Sequence, residues 1–425
     1  QGTLDFFNAR VSASKMDWYK DANRPAEGSF DLEWTGDEFH VRNVRLKTRE
    51  LTFNGAFIFD AESGLMKRAD VPLFVSGRHD LTATARQRPD GVLELTIQAR
   101  TLNAAPFLET MFEDSPGESF APNMKMTLLA DQVFGMNGVR YTNVSIVAEK
   151  RREFWIAANV IGAIDDGGMF QIALDNDQAG RHLTIESDNA GRFGLGVDIF
   201  RNAVGGRLML TADLNIYQTP LYAVGTLAVN DFRMVKSSTL IQALAEDERS
   251  GLDEMIREGG VDFKQLLIPF KLEDEVFDIS GGSASGPSLG FTMEGQIDQR
   301  FERMNINGTV VPAYTLNTII SRIPVIGTIL MGGKGEGLFA VNYRVSGTRD
   351  DPKVDISEIS VLTPGILRKL IGQKKGKLEP EEETTPAEEE PAPAEEPATE
   401  EEQPLGEGER EPLPEETPDE GAGEG

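Results

Sequence analysis

The chain has 425 residues, no cysteine, three histidines and a formal net charge of −28. This length suits two or three ordinary domains or one elongated domain. The lack of cysteine excludes disulfides, thiolate metal sites and cysteine nucleophiles. Most of the charge lies in residues 379–425, which hold 20 acidic residues and one basic residue. No basic stripe is present to neutralise phosphates, so we do not expect nucleic acid as a partner.

Most of the first 190 residues, and many of the later ones, are predicted to form β-strands. Apolar and polar residues alternate in residues 30–34, 93–97, 154–160, 193–199 and 208–214. This period of two places one set of side chains on each face of a sheet. Tight hairpins, which need positive φ angles, are predicted at Asn54-Gly55, Pro89-Asp90-Gly91, Asn137-Gly138 and Asn307-Gly308. The sequence therefore predicts a mainly β fold, a long antiparallel sheet of about twenty strands that extends on the order of 100 Å.

Helical patterns are few, and they lie late in the chain. They occur in residues 238–245, 252–256, 314–323 and 364–371. From residue 372 onward we predict a disordered acidic tail. Its last 47 residues include nine prolines and no aromatic residue, valine or isoleucine, so they cannot bury enough apolar area to offset chain entropy. An acidic docking motif within the tail is the alternative.

A search for catalytic and metal sites gives no enzyme signature. His40, His79 and His182 lie far apart without metal-ligand spacing, and we expect ordinary surface histidines. Residues 327–335 approach a phosphate loop with the wrong spacing, which favours an apolar turn. Residues 175–186 approach a calcium loop, but strand-like flanks favour a hairpin turn over weak Ca²⁺ binding. We therefore predict a protein that is not an enzyme, with no catalytic residue, metal site or cofactor.

A sheet with one apolar face must cover that face. The predicted helices are too few to do so, which leaves two interpretations. In the first, the sheet is a filled sandwich or barrel whose inward residues are core. In the second, the sheet curls under its own twist into an open apolar groove, which hydrocarbon enters with about 0.8 kcal/mol per buried CH₂. Periodicity alone does not distinguish a filled interior from an open one.

A series of ordered motifs runs through residues 191–371. The most specific is Gly308-Thr-Val-Val-Pro312-Ala-Tyr314-Thr-Leu316-Asn317, followed at once by Ile323-Pro324-Val325-Ile326-Gly327. Others are Gly205-Gly206-Arg207-Leu208, Gly260-Val261-Asp262-Phe263, Gly282-Ser-Ala-Ser-Gly286 and Leu362-Thr-Pro364-Gly365-Ile366-Leu367-Arg368. These residues resemble the C-terminal region of the AsmA-like family of Gram-negative envelope proteins, most closely the large YhdP-type members, which are related to the TamB proteins.

The resemblance implies a periplasmic lipid-transfer bridge. Such a protein is anchored in the inner membrane by an N-terminal helix, and a long hydrophobic β-groove crosses the periplasm. The implied function is movement of phospholipids between the inner and outer membranes, which supports outer-membrane integrity. The implied partners are phospholipids, both membranes and a periplasmic or outer-membrane protein at the C-terminal end. Because the chain begins with Gln1, we expect a fragment or a processed product whose anchor lies upstream.

A second hypothesis belongs to a different class. The chain would then be a structural or assembly factor whose sheet edges hold outer-membrane proteins by β-strand addition, without lipid cargo.

We predict three segments: a β-rich groove segment in residues 1–190, an AsmA-like region in residues 191–371 and the acidic tail in residues 372–425. The predicted groove-lining residues are Phe193, Leu195, Val197, Leu208, Leu210, Leu227, Val229, Phe277, Ile279, Phe291 and Ile306. Residues 319–331 are apolar but too short to cross a bilayer, and they are predicted to cap the groove or touch a membrane. The residues concerned are Ile319, Ile323, Pro324, Val325, Ile326, Ile329 and Leu330.

Overall fold

The computed structural model describes residues 2–5, 7–109, 123–151, 154–177, 180–215, 221–235, 243, 260–312, 341–348 and 351–357. All of them belong to one compact unit, Gln1–Lys374, and a second unit, Lys375–Gly425, lies outside the described residues. Most of the predicted tail therefore falls in the second unit.

The described residues form 22 strands and two α-helices. The strands are β1 (Gly2–Asp5), β2 (Val11–Ala13), β3 (Trp18–Lys20), β4 (Glu27–Trp34), β5 (Glu38–Lys47), β6 (Leu51–Asp60), β7 (Met66–Ser76), β8 (His79–Gln87), β9 (Leu93–Asn103), β10 (Met124–Phe134), β11 (Arg140–Arg151), β12 (Phe154–Ile164), β13 (Met169–Asn176), β14 (Arg181–Ser187), β15 (Ala203–Leu214), β16 (Ala223–Met234), β17 (Val261–Glu273), β18 (Val276–Ser285), β19 (Leu289–Asp298), β20 (Arg303–Pro312), β21 (Val341–Thr348) and β22 (Pro352–Ser357). The helices are α1 (Ala105–Glu109) and α2 (Ala190–Gly196), with 3₁₀ turns at Ser14–Met16 and Met136–Gly138.

Twenty of the strands form a single sheet, and β2 and β3 form a separate pair. Strand β1 pairs with β4, and from β4 to β22 each strand pairs with the next one along the chain. The sheet does not close into a barrel, because within the described residues β1 pairs with β4 alone and β22 with β21 alone. The predicted mainly β class and long antiparallel sheet are confirmed.

One ladder departs from the antiparallel pattern. Strands β9 and β10 run parallel, with Leu93 opposite Met124 and Asn103 opposite Phe134. A parallel neighbour cannot follow a tight hairpin, because the chain must first return along the full strand length. Residues 104–123 connect the two strands in sequence, and α1 lies at the start of this connection. The junction divides the sheet into two antiparallel runs, β1 with β4–β9 and β10–β22.

Alternation identified most of the strands named from the sequence. The predicted strands at residues 30–34, 93–97, 154–160 and 208–214 lie within β4, β9, β12 and β15. The hairpin expected at residues 175–186 is also confirmed, since β13 and β14 pair across a turn in which Asp177 N donates to Gly180 O at 3.0 Å.

The strand predicted at residues 193–199 is wrong, because residues 190–196 form helix α2. Asn189 caps this helix, and its side-chain oxygen accepts a hydrogen bond from Arg192 N at 3.1 Å. The glycines that gave the alternating pattern serve close packing instead. A Cβ atom on Gly194 would lie 2.6 Å from Phe200 Cδ2, and one on Gly196 would lie 2.0 Å from Tyr141 Oη. Tertiary packing therefore decided this segment.

Two of the four predicted hairpin turns are confirmed, at Pro89-Asp90-Gly91 and Asn137-Gly138. The other two are wrong, since Asn54-Gly55 lies inside β6 and Asn307-Gly308 inside β20. In both strands the glycine makes room for aromatic rings. A Cβ on Gly55 would lie 2.8 Å from the Phe53 ring, and one on Gly308 would lie 2.5 Å from Tyr343 Oη.

Several of the sequence predictions lie outside the described residues. These are the four late helices, the apolar segment at residues 319–331, the turn at residues 327–335 and the acidic tail. Ala243 is the one described residue within those helices, and it is helical.

Candidate functional site: an apolar sheet face

Directly paired residues form an unbroken row of apolar side chains and glycines across the sheet. The row, which we call the central row, takes one residue from each strand from β4 to β22: Leu32, Val41, Phe57, Ala69, Ala85, Leu95, Met126, Ala148, Ala158, Leu174, Leu183, Ala212, Gly225, Phe270, Ile279, Gly295, Ile306, Val345 and Val354. Paired residues project from the same face of a sheet. One face is therefore apolar from β4 to β22, and we call it the apolar face.

A second row runs beside the central row on the same face. It consists of Val71, Ala83, Ile97, Leu128, Ile146, Val160, Ile172, Ile185, Leu210, Leu227 and Ile268, from β7 to β17. Most of these residues are β-branched, the type that packs best on a pleated surface. No polar side chain interrupts either row.

The opposite face, which we call the polar face, is mostly hydrophilic. On β9 it carries Glu94, Thr96, Gln98 and Arg100, and Arg100 forms an ion pair with Asp80 of β8. A few apolar residues lie there too, notably Val147, which is 56% exposed. In an antiparallel sheet with one solvated face and one apolar face, only the apolar face must be shielded from water.

Protein packing fills the apolar face along one of the two sides of the sheet where the strands begin and end. We call this side the helix margin, because α2 and the 3₁₀ turn Met136–Gly138 lie there. Phe193 of α2 is 4% exposed, and its ring lies 5.4 Å from the Phe170 ring. Tyr141 completes the cluster, with its ring 5.0 Å from that of Phe170. Burial raises the pKa of Tyr141. This margin is a packed core.

The predicted groove-lining residues fall into two groups. The strand residues all lie on the apolar face: Leu208, Leu210, Leu227, Val229, Phe277, Ile279, Phe291 and Ile306. Leu208, Val229, Ile279 and Phe291 are buried, whereas the other four are half-buried. Phe193, Leu195 and Val197 belong instead to α2 and its C-terminal end at the helix margin. Contact of any of them with lipid stays a prediction.

The structure adds an aromatic group that the sequence reasoning missed. We call it the aromatic segment: the apolar-face side chains Phe30, Trp34, Phe39, Phe53, Phe57, Phe59 and Phe74 of β4–β7. Trp34 lies opposite Phe39, and Phe39 lies opposite Phe59. The alternation in residues 51–60 could have revealed β6, but the turn predicted at Asn54-Gly55 divided this strand in two.

All three histidines were predicted to lie on the surface, but two of them are buried. His79 is 1% exposed and His40 is 9% exposed. Burial is the main cause that lowers the pKa of His79. His182 is partly exposed, and its contacts with Asp213 and Asp177 raise its pKa. The histidines do not cluster, and no group of three metal-ligating side chains occurs among the described residues.

His79 belongs to a polar cluster that fixes the N-terminal segment against the helix margin. The Asp17 carboxylate accepts hydrogen bonds from Asn103 Nδ2 at 2.8 and 2.9 Å and from Arg78 N at 3.2 Å. His79 Nε2 lies 3.8 Å from Asp17 Oδ2. His79 Nδ1 accepts from Asn103 N at 3.5 Å. These contacts hold the segment in place, so the role of the cluster is structural.

A cavity of about 750 Å³ opens elsewhere, and its polar side chains belong to the polar face of β18–β20. They include Asp278, Glu294, Gln296 and Asn305, and Gln296 Nε2 donates to Asp278 Oδ2 at 3.0 Å. Such a lining does not suit hydrocarbon.

Comparison of the chain with protein-family models, curated proteins and solved structures gives no match in any of the three. The resemblance to the AsmA-like family therefore rests on the motifs in residues 191–371. The described α-helices have five and seven residues, and neither is long enough to span a bilayer.

Proposed function

We propose that the chain is part of a lipid-transfer bridge that moves phospholipids between the inner and outer membranes of a Gram-negative envelope and so supports outer-membrane integrity. The observation that carries this proposal is the central row, which runs from Leu32 to Val354 without a polar side chain. In this proposal the chain lies in the periplasm, held by an upstream inner-membrane anchor, with a protein partner at its C-terminal end.

The dimensions of the apolar face suit lipid tails. Strand β15 has 12 residues, which extend about 40 Å at about 3.3 Å per residue. The hydrocarbon of one leaflet is about 15 Å thick, half of a core of about 30 Å. A tail can therefore lie along the strands while its headgroup stays in water at a sheet edge. Each CH₂ removed from water contributes about 0.8 kcal/mol.

The uniformity of the two rows suits movement. Strands β4 to β22, at a spacing of about 4.8 Å, give a path on the order of 90 Å. A tail that shifts from one strand to the next exchanges one apolar contact for a similar one. A charged side chain in the path would raise a barrier, because hydrocarbon would have to displace its hydration. No catalytic group is needed for such a process.

Neighbouring residues on β15 provide a matched test. Leu210 lies in the second row, and Met209 beside it lies on the polar face, 47% exposed. Transfer of fluorescent phospholipid between vesicles should fall about tenfold or more in Leu210→Asp, since about 1.4 kcal/mol of barrier gives a factor of ten. Met209→Asp should transfer normally. Equal transfer by two folded variants would contradict the proposal, as would the absence of lipid from gently purified protein by mass spectrometry.

The alternative, assembly of outer-membrane proteins by strand addition, draws support from β22, which pairs with β21 alone among the described strands. Yet β22 begins with Pro352 and carries Lys353 and Asp355, features that protect an edge from further pairing. The alternative predicts that photo-crosslinkers placed on β22 capture nascent outer-membrane proteins and that Leu210→Asp leaves this capture unchanged.

A further inference from the structure

We infer that phospholipid binds the apolar face with its headgroup at the side of the sheet opposite the helix margin, where acidic turns favour a headgroup with an ammonium group over an anionic one. We call this side the hairpin margin. The occupant is therefore a zwitterionic phospholipid such as phosphatidylethanolamine. This inference rests on the proposed function and adds the orientation of the lipid and the charge of its headgroup.

Burial on the apolar face changes between two neighbouring rows of β13–β20. The row nearer the helix margin, which we call the packed row, consists of directly paired residues that are between 1 and 8% exposed: Phe170, Ser187, Leu208, Val229, Leu266, Ala284, Phe291 and Val310. In the second row, two residues farther from that margin, Ile172, Ile185, Leu210, Leu227 and Ile268 are all half-buried. The protein therefore covers the packed row completely and the second row only in part.

The partly covered strip has the width of a lipid tail. The last row of the apolar face before the hairpin margin, which we call the outer row, consists of Leu214, Ala223, Leu272, Phe277, Ile297 and Met304. Four of these residues are half-buried, whereas Ala223 and Leu272 are buried. From Leu208 of the packed row to Leu214 of the outer row, six residues extend about 20 Å. One leaflet of hydrocarbon is about 15 Å thick, so a tail that starts at the outer row ends before the packed row.

The connections between antiparallel neighbours differ between the two sides of the sheet. At the hairpin margin they have two to eight residues. At the helix margin they include residues 6–26, 188–202, 235–260 and 313–340, which have 15 to 28 residues. Short turns contribute little that could fold over the face. The hairpin margin is therefore the side at which a headgroup can stay in water.

The turns of the hairpin margin are acidic. Their described residues include two basic ones, Arg88 and Arg300, and eight acidic ones: Asp37, Glu62, Asp90, Asp177, Asp274, Glu275, Glu302 and Asp351. Arg88 lies 3.3 Å from Asp90, and Arg300 lies 3.0 Å from Asp298, so both guanidinium groups already pair with carboxylates. At the helix margin, the described residues between strands of the large sheet include eight acidic and eight basic ones. A negative potential therefore follows the hairpin margin only.

This potential distinguishes between headgroups. Asp274 and Glu275 lie in the turn between Leu272 and Phe277 of the outer row. A lipid whose tails start at the outer row places its headgroup beside such turns. The ammonium group of phosphatidylethanolamine can donate hydrogen bonds to the carboxylates, whereas they repel the net negative charge of phosphatidylglycerol.

Two tryptophan reporters test the orientation. Both are made in a Trp18→Phe, Trp34→Phe, Trp155→Phe background, which removes the three tryptophans of the chain. Met304→Trp places one reporter in the outer row, and Leu210→Trp places the other in the second row. Each protein is incubated with vesicles of phosphatidylethanolamine that is brominated either next to the headgroup or near the tail ends. After the protein is isolated, its retained lipid is measured by mass spectrometry and its fluorescence is recorded.

We expect bromine next to the headgroup to quench Met304→Trp about twofold or more strongly than bromine near the tail ends, and Leu210→Trp to show the opposite order, because the second row lies about 13 Å farther from the hairpin margin. Any other pattern of quenching by retained lipid would overturn this inference and leave the proposed function standing. The absence of retained lipid would overturn both, as would a lipid-free dimer whose second copy covers the face. If Met304→Trp does not fold, Ile297→Trp gives the same test, since Ile297 lies opposite Met304.

Competition between lipids tests the headgroup. The protein is incubated with vesicles that contain equal amounts of phosphatidylethanolamine and phosphatidylglycerol, and the ratio of the two is measured in the retained lipid. We expect the parent protein to retain an excess of phosphatidylethanolamine. Asp274→Asn, Glu275→Gln, Glu302→Gln should lower this ratio about threefold or more, since exposed charge pairs each contribute modestly.

The polar face supplies a control of equal charge. Asp131→Asn, Glu186→Gln, Glu294→Gln removes three exposed carboxylates of that face and should leave the ratio unchanged. An equal ratio in the two variants, or a parent protein without an excess of phosphatidylethanolamine, would overturn the headgroup assignment.

Discussion

Tyr343 of β21 lies directly opposite Gly308 of β20, and its ring occupies the space that a side chain on Gly308 would fill. The Tyr343 hydroxyl donates a hydrogen bond to Thr292 O of β19 at 2.9 Å. A Cβ atom on Gly308 would lie 2.5 Å from this hydroxyl and 1.9 Å from Thr292 O. The glycine thus allows one side chain to tie three strands together.

Gly308→Ala should therefore destabilise the fold by about 1–3 kcal/mol, because overpacking displaces both the ring and a backbone carbonyl. Tyr343→Phe removes only the hydroxyl and should cost about 1 kcal/mol. Urea unfolding followed by circular dichroism measures both. A Gly308→Ala protein as stable as the parent would show that the strands separate without cost.

The stability of the protein should fall as the pH drops below about 6.5, the ordinary pKa of histidine. His79 has a lowered pKa in the folded state because burial disfavours its charged form, an effect that the Asp17 carboxylate partly offsets. The unfolded chain then binds a proton at a higher pH than the folded chain. The contribution of His79 is therefore present above pH 6.5 and is lost as the pH falls through its folded-state pKa.

Urea midpoints at pH 7.5 and 5.5 test this dependence. His79→Gln, which does not titrate, should narrow the difference between the two midpoints. His182 serves as a control, because its pKa is raised in the folded state. Its contribution to stability therefore changes with pH in the direction opposite to that of His79. An unchanged pH dependence in His79→Gln would assign the effect to other groups.

A bridge and a single binding pocket respond differently to charges placed at distant positions. If lipid passes along the whole apolar face, Val41→Asp, Ile146→Asp and Ile306→Asp should each reduce transfer by about tenfold or more, because steps in series share one flux. A single pocket would be sensitive at one of these positions only.

The polar face supplies the controls for this series. Val147, next to Ile146, is 56% exposed, and Asn305 precedes Ile306 on β20. Val147→Asp and Asn305→Asp should transfer lipid as the parent does in the vesicle assay. Loss of transfer in these controls would indicate a general defect.

The cap of α2 should contribute to stability out of proportion to the length of the helix. Asn189→Ala removes the acceptor for Arg192 N and should cost about 1 kcal/mol. Asn189→Asp keeps an acceptor and should cost less. Differential scanning calorimetry of the three proteins measures this order, and an Asn189→Ala protein with an unchanged Tm would show that packing of Phe193 alone holds α2.

The alternation of apolar and polar residues predicted which segments form strands, but it did not predict how those strands pair. The alternation at residues 93–97 predicted β9, yet nothing local indicates that β9 pairs in parallel with β10. Asn137-Gly138 and Asn307-Gly308 share one dipeptide, but the first forms a turn and the second lies within a strand over which Tyr343 packs. The aromatic segment was missed because Asn54-Gly55 is typical of a turn when read from the sequence alone. Only the structure shows that Gly55 lies within a strand, beside the rings of Phe53 and Phe57.

Local pattern is enough to establish that this chain is mainly β, since a period of two defines the two faces of each strand whatever its neighbours are. The joining of these faces into one apolar surface from Leu32 to Val354 depends on the folded arrangement of the strands. Strand register arises from contacts between residues distant in the chain, and a shift of one residue would turn any strand's apolar side to the opposite face. The same long-range contacts bury the aromatic rings near α2 and leave those of β4–β7 partly exposed.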